Sequence, residues 1–143
     1  MKRIFNLRDR PPARTGRTRV YFAAPLPIHS TPRYQQLLAK LRTLRPDAEL
    51  LEAAMLFTSH ADWRAKWPTV LRSLHELCFI TDSDLWIGNG VWKEIADAEA
   101  DGIPVWWLTD NGGLVALTAV DFSQPNEDDW RHYRRVRVAR MRA

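Results

Sequence analysis

The sequence is poor in the residues from which small domains make covalent or metal staples. It holds one cysteine, Cys78, in 143 residues, so no internal disulfide framework can form. Its four histidines, His29, His60, His75 and His132, are scattered and have no cysteine pair beside them, so no structural metal is expected. Purely apolar runs last only a few residues against the roughly 20 that a bilayer-spanning helix needs. With a mean hydropathy of −0.38, a soluble chain without a membrane partner is expected. The opening MKRIFNLRDRPPART carries charge but no apolar segment of a secretory leader, which predicts a cytoplasmic protein. No Gly-x-x-x-x-Gly-Lys-Ser/Thr loop is present, and Gly88-x-Gly90 lacks the third glycine of a dinucleotide fingerprint, so no cofactor is expected.

What is present is enough apolar material, 45% of residues, to bury a core in one domain of this length. The net charge of +4 resembles a nucleic-acid binder until the charges are placed. Residues 1–19 come to +6 and residues 127–143 to +3, while the stretch between them comes to −5. The basicity therefore lies in two tails around an acidic body, and contact with nucleic acid is expected only through those tails. The division drawn is a basic arm over 1–18, a folded domain over 19–122 and a basic C-terminal tail over 123–143, read as a short helix or a docking arm.

Within the body, Val20 to Ala24 form a short run of strand formers ended by Pro25 and Pro27. Tyr34, Leu37, Leu38, Leu41 and Leu44 then recur at helical spacing after Thr31-Pro32 and stop before Pro46. Ala48 to Ala53 reads as a second strand and residues 54–61 as a loop. Trp63, Trp67, Val70, Leu71 and Leu74 mark a second helix, kinked or begun at Pro68. Leu77 to Thr81 is a buried strand that carries Cys78. Val91, Ile95 and Ala98 mark a third helix ending at Gly102, Ile103 to Leu108 a fourth strand, and Leu114 to Val120 a fifth after Asn111-Gly112-Gly113. Strand and helix alternate throughout, which predicts an α/β three-layer sandwich around a mostly parallel sheet of about five strands, flavodoxin-like or Rossmann-like.

Ligands of open parallel sheets bind beyond the carboxyl ends of the strands. Three loops qualify: Ala24 to Ser30, Asp82 to Gly90, and Thr109 to Asn111. In the middle loop Gly88-Asn89-Gly90 permits close backbone approach, and Glu94 follows within a helical turn. A capping box would pair a cap with a glutamate three residues later, but residue 91 is valine, so Glu94 is not an ordinary cap partner. It shares the stripe of Val91, Ile95 and Ala98 and leans toward the sheet; the competing explanation is a solvated glutamate answering the helix dipole.

VYFAAPLPIHS, a Tyr/Leu helix, an apolar strand ending in Asp and then GNGVWKEIADAEADGIPVWWL together resemble the nucleoside 2-deoxyribosyltransferases over about residues 19–108. In that family the first strand reads like IYLAGP or IYFGAG. Its third helix follows Asp, any residue, Gly, Thr, two residues, Glu, then Ala and a Gly-Lys-Pro lead into the next strand. Gly90, Glu94, Ala98 and Gly102-Ile103-Pro104-Val105 match. Gly88 stands in place of the aspartate, Val91 in place of the threonine and Ala24 in place of the strand-one glycine. The resemblance implies that Glu94 is similar to the nucleophile that attacks the anomeric carbon of a nucleoside or nucleotide, and Tyr21 to the tyrosine that orients it. Gly88-Asn89-Gly90-Val91-Trp92-Lys93-Glu94 also resembles, more weakly, the Gly-Gly-x-Gly-Thr-x-x-Glu of the phosphoribohydrolases.

Base exchange or removal at an anomeric carbon passes through an oxocarbenium-like state that a carboxylate traps as a glycosyl ester. Asp82 or Asp84 is expected to supply a second carboxylate that protonates the leaving base or holds a sugar hydroxyl; the alternative is Asx-turn chemistry at the strand end. Either one, ionised, would push the Glu94 pKa up while the helix N-terminus held it down. Pro25, His29, Gly88, Asn89, Gly90 and Trp92 are expected to line the substrate site, with a base stacked on Trp86 or Trp92. Of the seven tryptophans, Trp106 and Trp107 alternate across a strand and both bury. Trp63 and Trp67, one turn apart, are expected at the interface of a homodimer or a larger even oligomer. The departures at Gly88 and Val91 leave a second class open, a non-catalytic nucleotide-binding or interaction module with the same fold.

Overall fold

A computed structural model describes residues 17–123 and 134–139. The chain runs β1 (Arg19–Ala23), α1 (Pro32–Leu44), β2 (Glu49–Glu52), α2 (Ala53–Leu56), α3 (His60–Ser73), β3 (Glu76–Phe79), β4 (Trp86–Ile87), α4 (Asn89–Ala100), β5 (Val105–Leu108), β6 (Leu114–Ala116), β7 (Val120–Ser123) and β8 (Arg134–Val138). A five-stranded sheet has the order β2-β1-β3-β5-β6. Its first four strands are parallel and β6 pairs antiparallel with β5. The architecture is the α/β sandwich expected from the alternation of elements. Among the described residues no helix is long and apolar enough to cross a membrane.

Each central strand sends alternate residues to opposite faces. Val20, Phe22, Cys78, Ile80 and Leu108 meet Tyr34, Leu37, Leu38 and Leu41 of α1. Tyr21, Ala23, Leu77, Phe79 and Trp107 meet Trp67 and Leu71 of α3 and Val91, Ile95 and Ala98 of α4. Trp106 and Trp107 divide between these faces as their alternation requires. Cys78 is buried, and that burial pushes its thiol up to about 12, far from a reactive thiolate.

Local chemistry sets the helix ends. Thr31 caps α1 by accepting from the Tyr34 N–H, and Ser59 caps α3 by accepting from the Asp62 N–H. Pro68 lies inside α3, which runs through it as one helix. α4 stops in a Schellman arrangement: Gly102 has φ +72°, its N–H donates to the Glu99 carbonyl, and the Ile103 N–H donates to that of Ala98.

Three local expectations change. Residues 53–56, assigned mainly to a loop, form α2. The expected fifth strand divides, with β6 joining the main sheet and β7 starting a second one after a 3-10 turn at Leu117–Ala119. Within the C-terminal stretch, read as a short helix or a docking arm, the described residues Arg134–Val138 form β8, the middle strand of an antiparallel sheet β4-β8-β7. Val136 is fully buried there, and its N–H donates to the Leu85 carbonyl at 2.7 Å. Arg135 and Arg137 on either side of Val136 hid a strand whose inward residue is apolar. The arm over 1–18 lies outside the described residues except for Arg17 and Thr18.

Burying an unpaired charge at position 136 should therefore cost about 3 kcal/mol or more, whereas truncating the exposed Arg135 should cost under about 0.5 kcal/mol. Urea melts of Val136→Asp and Arg135→Ala check this; equal stability in the two variants would deny β8 its place in the core.

Candidate active site

The site is built where β1 and α4 meet. Tyr21 is on the α4 side of β1 by strand alternation, and Glu94 is on the sheet side of α4 by helical spacing with Val91, Ile95 and Ala98. The Tyr21 hydroxyl donates a short hydrogen bond to Glu94 Oε2. The Trp63 indole of α3 donates to the same oxygen at 3.1 Å. Both donors thus hold Oε2, and Oε1 is the oxygen they leave. Glu94 is only 5% exposed, yet it lines a cleft of about 720 Å³.

The second tryptophan of α3 repeats the contact one turn on. Trp67 Nε1 donates to Asp97 Oδ2 at 3.0 Å, Lys93 pairs with the same oxygen, and the Trp67 ring packs 5.0 Å from Tyr21. Trp63 and Trp67, expected at a subunit interface, both donate their indole N–H to α4 within the chain. The i,i+4 spacing of the indoles matches the i,i+3 spacing of Glu94 and Asp97 across the helix pair. That match was the available signal for Trp63, and it needed the pairing of the two helices to be read.

Burial is the main force on Glu94 and raises its pKa from 4.5 to about 7. The hydrogen bonds from Tyr21 and Trp63 oppose this, and the neighbouring Asp97 charge adds to it. The carboxylate that pushes Glu94 upward is therefore Asp97, not Asp82 or Asp84. Tyr21 is raised above the ordinary tyrosine value by burial and by the Glu94 charge, so it remains the proton donor of the pair.

The cleft opens at the carboxyl ends of β1 and β2 and under the start of α4. Pro25, His29, Gly88, Asn89 and Gly90 line it as expected, joined by Phe57, Thr58 and Ser59 from the α2–α3 connection and by His60 at the start of α3. His29 Nε2 lies 2.9 Å from the Ala24 carbonyl, which only accepts, so that nitrogen carries the hydrogen. Gly88 caps α4 with ordinary extended backbone, and a Cβ on Gly90 would meet no atom within 4 Å. Gly90 thus leaves open space on the cleft side of α4 and does not answer crowding.

Three expected site residues are elsewhere. Asp82 Oδ1 accepts from the backbone N–H groups of Asp84 and Trp86, both at 2.9 Å, which closes the loop before β4; Leu85, inside that loop, has φ +70°. Asp84 is exposed and outside the cleft lining. The turn chemistry weighed for these aspartates is what the loop uses. Trp92 is about 200° around the helix from Glu94 and packs on Phe122 with Arg134 over its ring. Neither it nor Trp86 is among the residues that line the cleft.

No family model and no curated protein matches the chain. Among solved structures, a conserved protein from Enterococcus faecalis V583 aligns with a TM-score of 0.49 and 25% identity over 62% of this chain. The match spans 61% of that protein, under two thirds of its length.

Two stability measurements test this assignment of roles. Because the Glu94 pKa is raised on folding, folded chains bind more protons than unfolded ones between pH 4.5 and about 7, and stability falls as pH rises through that window. Glu94→Gln lacks this loss, so its stability relative to the parent should improve by about 3 kcal/mol between pH 4.5 and pH 8 in denaturant titrations. Asp82→Ala should cost about 1 to 2 kcal/mol by orphaning two N–H groups, while Asp82→Asn, whose amide oxygen still accepts, should cost much less.

Proposed function

We propose that the protein cleaves or exchanges the N-glycosidic bond of a nucleoside or nucleotide, with Glu94 as nucleophile. One observation carries this reading: a buried carboxylate has both of its donors, Tyr21 and Trp63, on Oε2, while the group itself lines an open cleft. Held in that way, Oε1 is oriented for attack on an anomeric carbon, and the donors fix its direction without neutralising the charge. The pairing of Tyr21 with Glu94 is also the pairing that the resemblance to the nucleoside 2-deoxyribosyltransferases implies.

The chemistry follows from the parts. As the bond to the base breaks, positive charge grows on the sugar ring, and the Glu94 carboxylate stabilises it from the buried wall. Collapse to a glycosyl ester and its release to water or a second base complete hydrolysis or exchange with retained configuration. Desolvation makes the carboxylate a stronger nucleophile, and the two donors oppose the burial that raises its pKa to about 7.

Incubation with a panel of nucleosides, nucleotides and free bases, followed by chromatography of the bases, tests the proposal. Released or exchanged base is expected from the parent protein, with a loss of at least about 1000-fold in a folded Glu94→Gln variant. Activity should rise with pH through about 7 as Glu94 ionises, and Tyr21→Phe, which removes a bond that lowers the Glu94 pKa, should move that rise to higher pH. Ligand binding without base release would favour the non-catalytic module that Gly88 and Val91 leave open.

A further inference from the structure

We propose that His60 is the acid that protonates the departing base; the inference rests on the reading of Glu94 as nucleophile. His60 is the first residue of α3, exposed and part of the cleft lining. Its imidazole packs on the Trp63 indole, with ring centroids 5.3 Å apart and planes at 35°. The same indole donates to Glu94 Oε2. One rigid ring therefore touches both groups, with the carboxylate at its Nε1 and the imidazole tilted against it.

The rest of the cleft narrows the choice. Among the described residues, the ionisable side chains lining it are Glu94, His29 and His60. His29 spends its Nε2–H on the Ala24 carbonyl and packs its ring 5.0 Å from Tyr34. Of the acids expected from the sequence, Asp82 holds its own loop closed and Asp84 is outside the cleft lining. Among the described residues no hydrogen bond engages the His60 ring, so it is the cleft's proton carrier without another commitment.

The step balances. Glu94 Oε1 forms the bond to the anomeric carbon while the carbon–nitrogen bond breaks, its electron pair passes to the base nitrogen, and the His60 imidazolium gives that nitrogen a proton. The neutral imidazole then takes a proton from the water or acceptor base that displaces Glu94.

A leaving group that needs no proton separates this role from simple binding. 7-Methyl-2′-deoxyguanosine carries a cationic base and departs unprotonated, whereas 2′-deoxyguanosine does not. In His60→Ala and His60→Gln, kcat on 2′-deoxyguanosine should fall by about 100-fold or more, with under about threefold loss on the methylated nucleoside. The exposed position of His60 means either variant should fold, and melting curves check it. Equal losses on both substrates, or no loss on either, would overturn the assignment. If the parent protein releases no more base from the methylated nucleoside than Glu94→Gln does, the nucleophile itself is wrong and His60 falls with it. If parent and Glu94→Gln differ while the His60 variants do not discriminate, His60 alone is refuted.

Discussion

The arrangement depends on holding one carboxylate that is almost wholly buried. Glu94 is on the apolar stripe of α4, against the sheet, and an unpaired charge there would be costly enough to neutralise the group. Two hydrogen bonds, from a strand and from a neighbouring helix, offset part of that cost. They converge on one oxygen, which makes the constraint directional as well as stabilising. The elements around Glu94 are therefore tied together by the charge: β1 through Tyr21 and α3 through Trp63.

The tie has a supporting layer. Trp67 packs on Tyr21 and donates to Asp97, so the second indole of α3 fixes the ring that holds Glu94 from the other side. Asp97, paired with Lys93 at 3.0 Å, in turn raises the Glu94 pKa. α3 is thus more than a cover for the sheet. Its aromatic face reads the acidic residues of α4, and its first residue reaches the cleft. The second sheet meets α4 through Trp92, which packs on Phe122 and has Arg134 over its ring.

Much of the fold was legible because it rests on short-range periodicity. The strand over Val20–Ala24, the helix before Pro46, the glycine stop at Gly102 and the opposite faces of Trp106 and Trp107 all follow from spacing and turn chemistry within a few residues. The strand at Arg134–Val138 was not legible, because its partners lie in β4 and β7 and its inward face rests chiefly on one valine. Asp82 could be read two ways, since an aspartate after a strand serves a turn or a site with the same local pattern. Only the direction of its carboxylate decided between them.

For the site, the residues alone singled out Glu94. Glu94 is a polar interruption of an apolar stripe just after a helix start, and Tyr21 came with the family resemblance. Neither spacing nor composition could tell that Trp63 faces Glu94, that Trp92 turns away from it, or that the α2–α3 connection supplies a wall of the cleft. Those contacts join residues some thirty to seventy positions apart. Local preference determines which residues can share a face, but which faces meet is decided by the packing of α3 and α4 on one side of the sheet, where apolar burial and the pairing of buried charge must be satisfied together.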